Sequence, residues 1–440
     1  MAESNVGIIN DLKKFLETVS IVKSTRHPYG LSDNAFSRNR KLGFTILVML
    51  LLNTLKRSLS IELQDFFEYT GNPGCSKQAF SSQRGKLSPS FFHDWNQVLI
   101  NSFYHHYGER VKRWHGMRLW AMDGSTVPLP RTEEMKREFG CPSNQNGETN
   151  LVARVSVLYD VLNHIVIKGL LHPYFVSEQD VSLHCMENQP LEDVLFLFDR
   201  GYPSYWLMYE LIQKKSFFVM RVQKNINNTV KSFLASEQTD LTVDIYPPYH
   251  SLKKLKDKGI EINKQTPVKV RMVKILLETG EIEILITNLY DTSLYTAMDF
   301  KQVYHLRWGI ETFYGHIKEE LQLGLFSGIR VICIEQDFAV SLFLSNLQNL
   351  IEKQSETYID SLSKKRKYKY KVNKNISWAS LKYRVVSLFL ESDSSSILFE
   401  LQHLFEKYLE PVRTGRKFPR IQKSLPNVKN YTLTNYKRAL

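Results

Sequence analysis

Four residues between positions 304 and 321 have side chains that suit phosphate chemistry: Tyr304, Arg307, Glu311 and Lys318. At about 100° per residue, their spacing places them within about 60° of one another on one face of an α-helix. The opposite face carries an apolar stripe that predicts burial against a core: Leu306, Ile310, Phe313, Ile317 and Leu321. A carboxylate surrounded by cations and a phenol suits a polyanionic substrate. The alternative is an exposed helix face with one Arg307–Glu311 pair at i,i+4.

Two aspartates earlier in the chain each follow an apolar run. Residues 118–122 precede Asp123, and the five apolar residues 194–198 precede Asp199. Such continuous runs predict buried strands, and ligands bind at the carboxyl ends of strands in open α/β sheets. Each aspartate also has a purely structural interpretation, because Asp-Gly and Asp-Arg-Gly are ordinary turn sequences.

Three carboxylates, two at strand ends and one on a helix, predict a site for two Mg²⁺ ions. Two such ions, about 3.5–4 Å apart, can hold the attacking and leaving oxygens of an in-line phosphoryl displacement. Mg²⁺ prefers oxygen ligands, and the sequence contains no histidine cluster that would favour a transition metal. Mn²⁺ is expected to substitute for Mg²⁺.

The elements that must position these carboxylates change along the chain. From residue 117 to residue 222 the hydrophobic pattern is mostly that of strands. It predicts a hairpin formed by 151–159 and 165–171 and a further strand at 217–222, with one helix between them at 206–214. Residues 223–300 predict a β-rich insertion with strands at 268–278 and 281–289. Helices resume at residue 297 and continue to about 353.

Residues 1–110 are predicted to be helical and to bind DNA. Helices are expected at 42–55, 61–69, 76–87 and 91–104, and Ser76 is the expected N-cap of the third. That third helix resembles a recognition helix, because it carries side chains of the types that contact bases and phosphates: Lys77, Gln78, Ser81, Gln83, Arg84 and Lys86.

The chain of 440 residues has a formal net charge of +13, and its positive charge is concentrated in two runs. Residues 362–377 and 412–440 contain many Lys and Arg and no acidic residue. Such runs suit binding to a phosphate backbone, although a solvated tail or an anionic membrane surface would also fit them.

The four scattered cysteines argue against a zinc site or disulfides. The N-terminus lacks a signal-peptide pattern, and the most apolar window, 42–55, is too short to span a bilayer. We therefore expect a cytoplasmic, DNA-associated protein without a membrane partner.

The spacing Y-x2-R-x3-E-x6-K is met by Tyr304, Arg307, Glu311 and Lys318. With Asp123 in DGST, Asp199 in DRGY and the run RWGIETFYGHIKEELQLGLFSG, the chain resembles the DDE transposases of bacterial insertion sequences, specifically the insertion sequence four type. The resemblance covers residues 115–350 most strongly and the two ends more loosely.

The resemblance implies an α/β fold with an RNase H-like catalytic core in which Asp123, Asp199 and Glu311 bind metal. It divides the chain into a helical DNA-binding domain (1–110), a first core segment (115–222), a β-rich insertion (223–300), a second core segment (301–355) and a basic C-terminal region (356–440). The implied activity is binding of terminal inverted repeats, cleavage through nicked and hairpin ends, and transfer to target DNA. The implied partners are double-stranded DNA, at the element ends and the target, and a second copy of the chain on paired ends.

Six further residues are expected to contact DNA or phosphate. Tyr304, Arg307 and Lys318 surround Glu311, and in the family this set is associated with hairpin formation. Trp308 suits base stacking or packing, Arg200 suits DNA binding or an ion pair, and Arg330 suits a phosphate. Two alternatives stay open: a domesticated relative that binds DNA without catalysis, and a metal-dependent nuclease without strand transfer.

Overall fold

The computed structural model describes residues 2–38, 41–53, 56–144, 147–148 and 150–413. Most of the basic segment 412–440 therefore lies outside the described residues, as do the last two residues of the helix expected at 42–55.

The described residues form seventeen α-helices: α1 (Ala2–Ile21), α2 (Lys23–Arg26), α3 (Phe44–Leu52), α4 (Leu59–Thr70), α5 (Lys77–Arg84), α6 (Ser90–Tyr107), α7 (Glu133–Phe139), α8 (Glu178–Met186), α9 (Tyr205–Gln213), α10 (Asn228–Ala235), α11 (Tyr249–Asp257), α12 (Ala297–Leu306), α13 (Trp308–Glu319), α14 (Val331–Glu352), α15 (Glu356–Lys364), α16 (Lys374–Leu390) and α17 (Ser394–Lys407). Short 3₁₀ helices lie at His27–Tyr29, Gly108–Arg110 and Lys353–Ser355. In this part of the chain, no helix has the length and apolar character needed to cross a membrane.

Twelve strands lie in the same residues: β1 (Arg118–Pro128), β2 (Ser143–Asn144), β3 (Gly147–Glu148), β4 (Val152–Asp160), β5 (Ile165–Pro173), β6 (Val194–Phe198), β7 (Phe217–Val222), β8 (Asp240–Ile245), β9 (Val268–Leu276), β10 (Ile282–Thr287), β11 (Lys369–Val372) and β12 (Leu409–Val412). Eight of them form one sheet in the order β5-β4-β1-β6-β7-β10-β9-β8. Strand β1 is antiparallel to β4 and parallel to β6, and β6 is parallel to β7. The predicted α/β class is confirmed as a mixed eight-stranded sheet with helices.

Strand β6 forms where the sequence predicts it, and all five of its side chains are buried. Strand β1 differs from the prediction, which ended the strand at Met122 and placed Asp123 before a turn. The strand continues to Pro128, because β4 pairs with it along this whole stretch, from Trp120 opposite Asp160 to Pro128 opposite Val152. Asp123 therefore lies within a strand, at the point where only the parallel pairing with β6 ends.

The β-rich segment 223–300 supplies β8, β9 and β10, and these strands extend the central sheet. Strand β10 pairs with β7 through Thr287 opposite Val219, and β9 and β8 follow it in antiparallel order. Two helices, α10 and α11, also come from this segment.

Helix α14 runs through the protein core and packs against the N-terminal helices. The ring of Trp95 on α6 stacks on that of Phe343 on α14, with 4.4 Å between ring centroids. The Asn5 amide on α1 donates a hydrogen bond to the Leu350 carbonyl at 2.9 Å. Buried aromatic and polar contacts of this kind join the N-terminal helices to the same core as the sheet.

Helix α5 begins as predicted, because the Ser76 side chain accepts a hydrogen bond from the Ala79 amide. The prediction that Gln83 and Arg84 face DNA is wrong, since both side chains are buried. Gln83 donates to the Leu42 carbonyl at 3.0 Å. Arg84 forms an ion pair with Asp337 at 2.7 Å. The exposed residues of this helix include Lys77, Gln78 and Ser81.

The single helix predicted around residues 304–321 is two helices, α12 and α13, which meet at Arg307. Tight bonds of the i to i−3 type form on both sides of it, from the Arg307 amide to Tyr304 and from the Ile310 amide to Arg307. The break changes the faces that a continuous helix would present. Leu306 is 37% exposed instead of lying in the apolar stripe, while Tyr304 and Arg307 are each only 7% exposed.

Candidate active site

The two aspartates lie side by side at the centre of the sheet. In the parallel pairing of β1 with β6, Met122 is opposite Phe198, so Asp123 is the next residue on β1 and Asp199 is the first residue after β6. Each carboxylate accepts a hydrogen bond from a nearby backbone amide at 2.8 Å, Asp123 from Gly124 and Asp199 from Gly201. These bonds hold one oxygen of each carboxylate in place.

Two side chains of helix α13 form hydrogen bonds with β1 at and near Asp123. The buried Tyr314 hydroxyl donates to the Asp123 carbonyl oxygen at 2.9 Å, and it lies 3.2 Å from the Val155 carbonyl oxygen on β4. One turn further along, the Lys318 ammonium donates to the Ser125 hydroxyl. Because Glu311 lies one turn before Tyr314 on the same helix, these two attachments bring its carboxylate to the aspartates.

Arg307 holds the Glu311 carboxylate. One guanidinium nitrogen donates to Glu311 Oε1 at 2.9 Å, which is the i,i+4 pair that the sequence left open as an alternative. The guanidinium lies over the rings of Tyr304 and Trp308, at 5.7 and 5.4 Å from their centroids. Its Nε is buried and has no hydrogen-bond partner in the described part of the chain. The pKa of the Tyr304 phenol is raised to about 12, mainly by burial.

The electrostatics of Asp123 show that the three carboxylates act on one another. Burial is the main cause that raises the pKa of Asp123 from its ordinary 3.8 to about 6. The Gly124 amide and the Arg307 charge lower that pKa, and the negative charges of Asp199 and Glu311 raise it. Burial also lowers the pKa of Lys318, against the opposing effect of Asp123. A cation placed among these carboxylates would relieve the cost of ionising Asp123.

The donor set fits a hard divalent cation. Asp123, Asp199 and Glu311 all offer carboxylate oxygens, which Mg²⁺ prefers. Within the described residues, no group of three His, Cys, Asp or Glu side chains is arranged closely enough to hold a metal ion. The charges of Asp199 and Glu311 reach Asp123, but Glu311 is paired with Arg307 and the three carboxylates are not gathered into a ready metal-binding group.

Sequence reasoning missed a fourth carboxylate, that of Glu178 at the start of α8. Its Oε1 lies 3.0 Å from Arg154 on β4. A Cβ added to Gly124 would lie 2.5 Å from the same oxygen, so a side chain at this position would require Glu178 to shift. Burial, and then the charge of Asp199, raise the pKa of Glu178, against the effect of Arg154. An acidic residue in a first helical turn is a common capping pattern, so nothing in the sequence indicated this proximity.

Tyr202 is a second residue that sequence reasoning did not single out. It closes the turn after Asp199 and is fully buried. Its hydroxyl has no hydrogen-bond partner among the described residues. Burial raises its pKa well above the ordinary value, and the charges of Glu178 and Asp123 add to that effect.

The structure places the three remaining predicted residues in different surroundings. Arg200 is exposed and directly follows Asp199. Trp308 is 48% exposed and lines a cavity of about 510 Å³ together with Tyr304 and Arg307. Arg330 is the N-cap residue of α14 and lies against the end of α5, where its Nη1 would be 3.2 Å from a Cβ on Gly85.

Comparison with known proteins identifies the family. The model of the family described as "Transposase DDE domain" matches residues 114–347, and the chain belongs to this family. A protein of Escherichia coli (strain K12), named "Putative transposase InsZ", is 30% identical over 103 residues, which are 23% of this chain and 34% of that protein. The aligned part therefore spans about a third of that relative.

A solved structure also aligns with the chain. It is the cryo-EM structure of the piggyBac transposase synaptic complex with hairpin DNA, at a TM-score of 0.43 and 10% identity, over 95% of this chain and 88% of that one. The family to which this chain belongs consists of phosphoryl-transfer enzymes that typically depend on a divalent metal.

Proposed function

We propose that this protein is a DNA transposase of the insertion sequence four type. It binds the terminal inverted repeats of its element, cleaves the ends and joins them to target DNA. The observation that carries the proposal is the placement of Asp123 on β1 next to Asp199, which directly follows β6, with Glu311 on the helix that is hydrogen-bonded to β1, in a chain of the transposase DDE domain family. The raised pKa of Asp123 supports a role in binding a cation, because it comes mainly from burial and the charges of Asp199 and Glu311 add to it.

The catalytic core is proposed to be RNase H-like and to consist of β5, β4, β1, β6 and β7. The antiparallel strands β5, β4 and β1 are followed by two strands parallel to β1, and this order supports the assignment. The division into an N-terminal DNA-binding domain, two core segments, an insertion and a basic C-terminal region is part of the same proposal.

Asp123, Asp199 and Glu311 would hold Mg²⁺, which supplies charge stabilisation at the attacking and leaving oxygens of the DNA phosphate. The protein's own side chains bind and orient the strand. Arg307 and Lys318 offer cationic donors beside the carboxylates, and Tyr304 packs against Arg307. The exposed indole of Trp308 and the exposed guanidinium of Arg200 suit contacts with an unpaired base and a neighbouring phosphate.

The test is metal-dependent cleavage and joining of labelled element ends. Asp123→Asn, Asp199→Asn and Glu311→Gln keep the shape of each side chain and remove one charge. Each should lower cleavage in Mg²⁺ by several orders of magnitude and leave binding to element ends in place, since binding rests on phosphate contacts elsewhere. Asp257→Asn, on the exposed end of α11, is the matched control and should cleave normally.

The outcomes separate this function from its alternatives. Cleavage without joining to target DNA would identify a nuclease, and binding without cleavage would identify a DNA-binding relative. Normal cleavage by any one of the three variants would remove that residue from the proposed metal site. Two chains and two ends in the complex that cleaves would support assembly as a homodimer on paired ends.

A further inference from the structure

The first turn of helix α8 contacts both of the segments that carry the two aspartates of the site. Glu178 lies against Gly124, the residue that follows Asp123 on β1. The next residue of the helix, Gln179, contacts the turn that follows Asp199. One turn of helix is therefore in contact with the chain next to each aspartate.

The side chain of Gln179 uses both of its polar atoms in hydrogen bonds. Its Nε2 donates to the Gly201 carbonyl oxygen at 3.1 Å, and its Oε1 accepts a hydrogen bond from the Trp206 indole at 3.2 Å. The opposite orientation of the amide would place its NH₂ group against the indole N–H and its oxygen against the carbonyl oxygen. The two partners thus fix the amide of Gln179 in one orientation.

Gly201 connects Gln179 to the Asp199 carboxylate. The Gly201 amide donates to Asp199 Oδ1 at 2.8 Å, and a Cβ added to Gly201 would lie 3.2 Å from the same oxygen. The hydrogen bond from Gln179 to the Gly201 carbonyl oxygen therefore acts on Asp199 through a single residue. Replacing a side chain that orients a metal-binding group typically costs about 10–100-fold in metal affinity or activity.

The indole that contacts Gln179 is itself held by helix α11, which comes from the β-rich segment 223–300. Trp206 is 4% exposed, and the ammonium groups of Lys254 and Lys258 lie 5.3 and 4.7 Å from its ring centroid. Lys254 also forms an ion pair with Asp180 on α8, and Lys258 forms one with Glu210 on α9 at 3.8 Å. Helix α11 is thus attached to both of the helices whose side chains meet in this contact.

We propose that Gln179 is a positioning residue for Asp199, and that helix α11 supports it through Trp206. This inference rests on the proposed function, because it takes Asp199 as a metal ligand. Gln179 acts by keeping the turn 199–202 in the conformation in which the Asp199 carboxylate binds a cation. The β-rich segment thereby contributes to the metal site without supplying a ligand to it.

The first experiment measures binding of Mn²⁺ to the full-length protein without DNA, from the electron paramagnetic resonance signal of the free ion. Gln179→Met keeps the length of the side chain and removes both hydrogen bonds without changing the charge. Its dissociation constant for Mn²⁺ should rise by about 10–100-fold, while the midpoint of urea unfolding in EDTA stays close to that of the wild type. Gln213→Met, at the exposed end of α9, is the matched control and should bind Mn²⁺ like the wild type.

A second variant removes only the donor on the other side of the Gln179 amide. Trp206→Phe lacks the indole N–H and should also raise the dissociation constant for Mn²⁺. Combining it with Gln179→Met should cause no further loss of affinity, because both changes act through one contact. Trp206→Phe decides the question by itself if Gln179→Met does not fold.

A third variant tests the part of helix α11. Replacing Lys254 and Lys258 together by Met removes both ammonium groups from the Trp206 ring, and it should weaken Mn²⁺ binding less than Gln179→Met does. The control replaces Lys253 and Lys256 by Met, which removes the same charge from exposed positions of the same helix and should leave the affinity unchanged.

Unchanged Mn²⁺ affinity in Gln179→Met, or an equal loss in Gln213→Met, would overturn the proposal. A lower urea midpoint in EDTA with unchanged Mn²⁺ affinity would show that Gln179 only stabilises the fold. Unchanged affinity in the variant of Lys254 and Lys258 would refute the part assigned to helix α11.

Asp199→Asn separates a failure of this inference from a failure of the proposed function. Normal Mn²⁺ affinity in Asp199→Asn would refute the metal site of the proposed function. Weakened binding in Asp199→Asn together with normal binding in Gln179→Met would refute the positioning role alone.

Discussion

Replacing Asp123 by Asn should stabilise the metal-free protein at neutral pH while it abolishes cleavage. The pKa of Asp123 in the folded protein is about 6, against 3.8 for an ordinary aspartate, and burial is the main cause. A carboxyl group with a raised pKa favours the folded state when protonated, and this contribution is lost as the pH rises through 6. A difference of about two pKa units corresponds to about 3 kcal/mol above pH 6.

The asparagine retains the structural contact of the aspartate. Its Oδ1 can accept the hydrogen bond that the Gly124 amide donates to Asp123 at 2.8 Å. The positive charge of Arg307 lowers the pKa of Asp123, and the value of about 6 already reflects this attraction. In the variant, Arg307 keeps its ion pair with Glu311. The substitution therefore removes the cost of a buried charge and keeps the hydrogen bond with Gly124.

The assay compares urea unfolding of wild type and Asp123→Asn at several pH values from 4 to 8, in EDTA. The two proteins should unfold at nearly the same urea concentration near pH 4, and the variant should be more stable above pH 6. Added Mg²⁺ should then stabilise the wild type more than the variant, because a ligand that binds the folded state stabilises it. A difference in stability that does not depend on pH, or a variant that is less stable at pH 7, would refute the reasoning.

Three further predictions concern residues around the site and in the N-terminal helices. Gly124→Ala should lower the cleavage rate with little loss of DNA affinity, measured by single-turnover nicking and by anisotropy, because its Cβ would collide with Glu178. Arg84→Ala should cost about 3–5 kcal/mol in urea unfolding, because it removes the ion-pair partner of the mostly buried Asp337 and leaves that carboxylate only its hydrogen bonds from Ser327. Lys77→Ala is the control: it should leave stability unchanged, and it should weaken DNA binding if α5 contacts DNA. Lys318→Ala should nick DNA slowly and accumulate nicked ends with few hairpins on a denaturing gel, since a charge-assisted contact is worth about 1.5–3 kcal/mol. Equal slowing of nicking and hairpin formation would contradict a distinct role of Lys318 in hairpin formation.

Local patterns in the sequence were sufficient to predict most strands and to point to Asp123, Asp199 and Glu311 as candidates for the site. The run 194–198 is a strand because five consecutive apolar residues fit a strand covered on both faces, and it leads directly to Asp199. The hairpin of β4 and β5 and the N-cap at Ser76 follow from similarly local signals. These features depend on neighbours in the sequence, so a single sequence is enough to find them.

The features that the sequence did not reveal depend on partners far along the chain. Strand β1 continues through Asp123 because β4 pairs with it. Arg84 is buried because it forms an ion pair with Asp337, which is some 250 residues further along the chain. The same reasoning applies to Glu178, whose place beside Gly124 follows from how α8 packs on the sheet. The sequence alone therefore does not show which charged side chains stabilise the fold, because that depends on the ion pairs that the fold creates. The basic run 362–377 shows this directly, because Lys371 and Lys374 stabilise the fold while their neighbours between 364 and 369 face solvent.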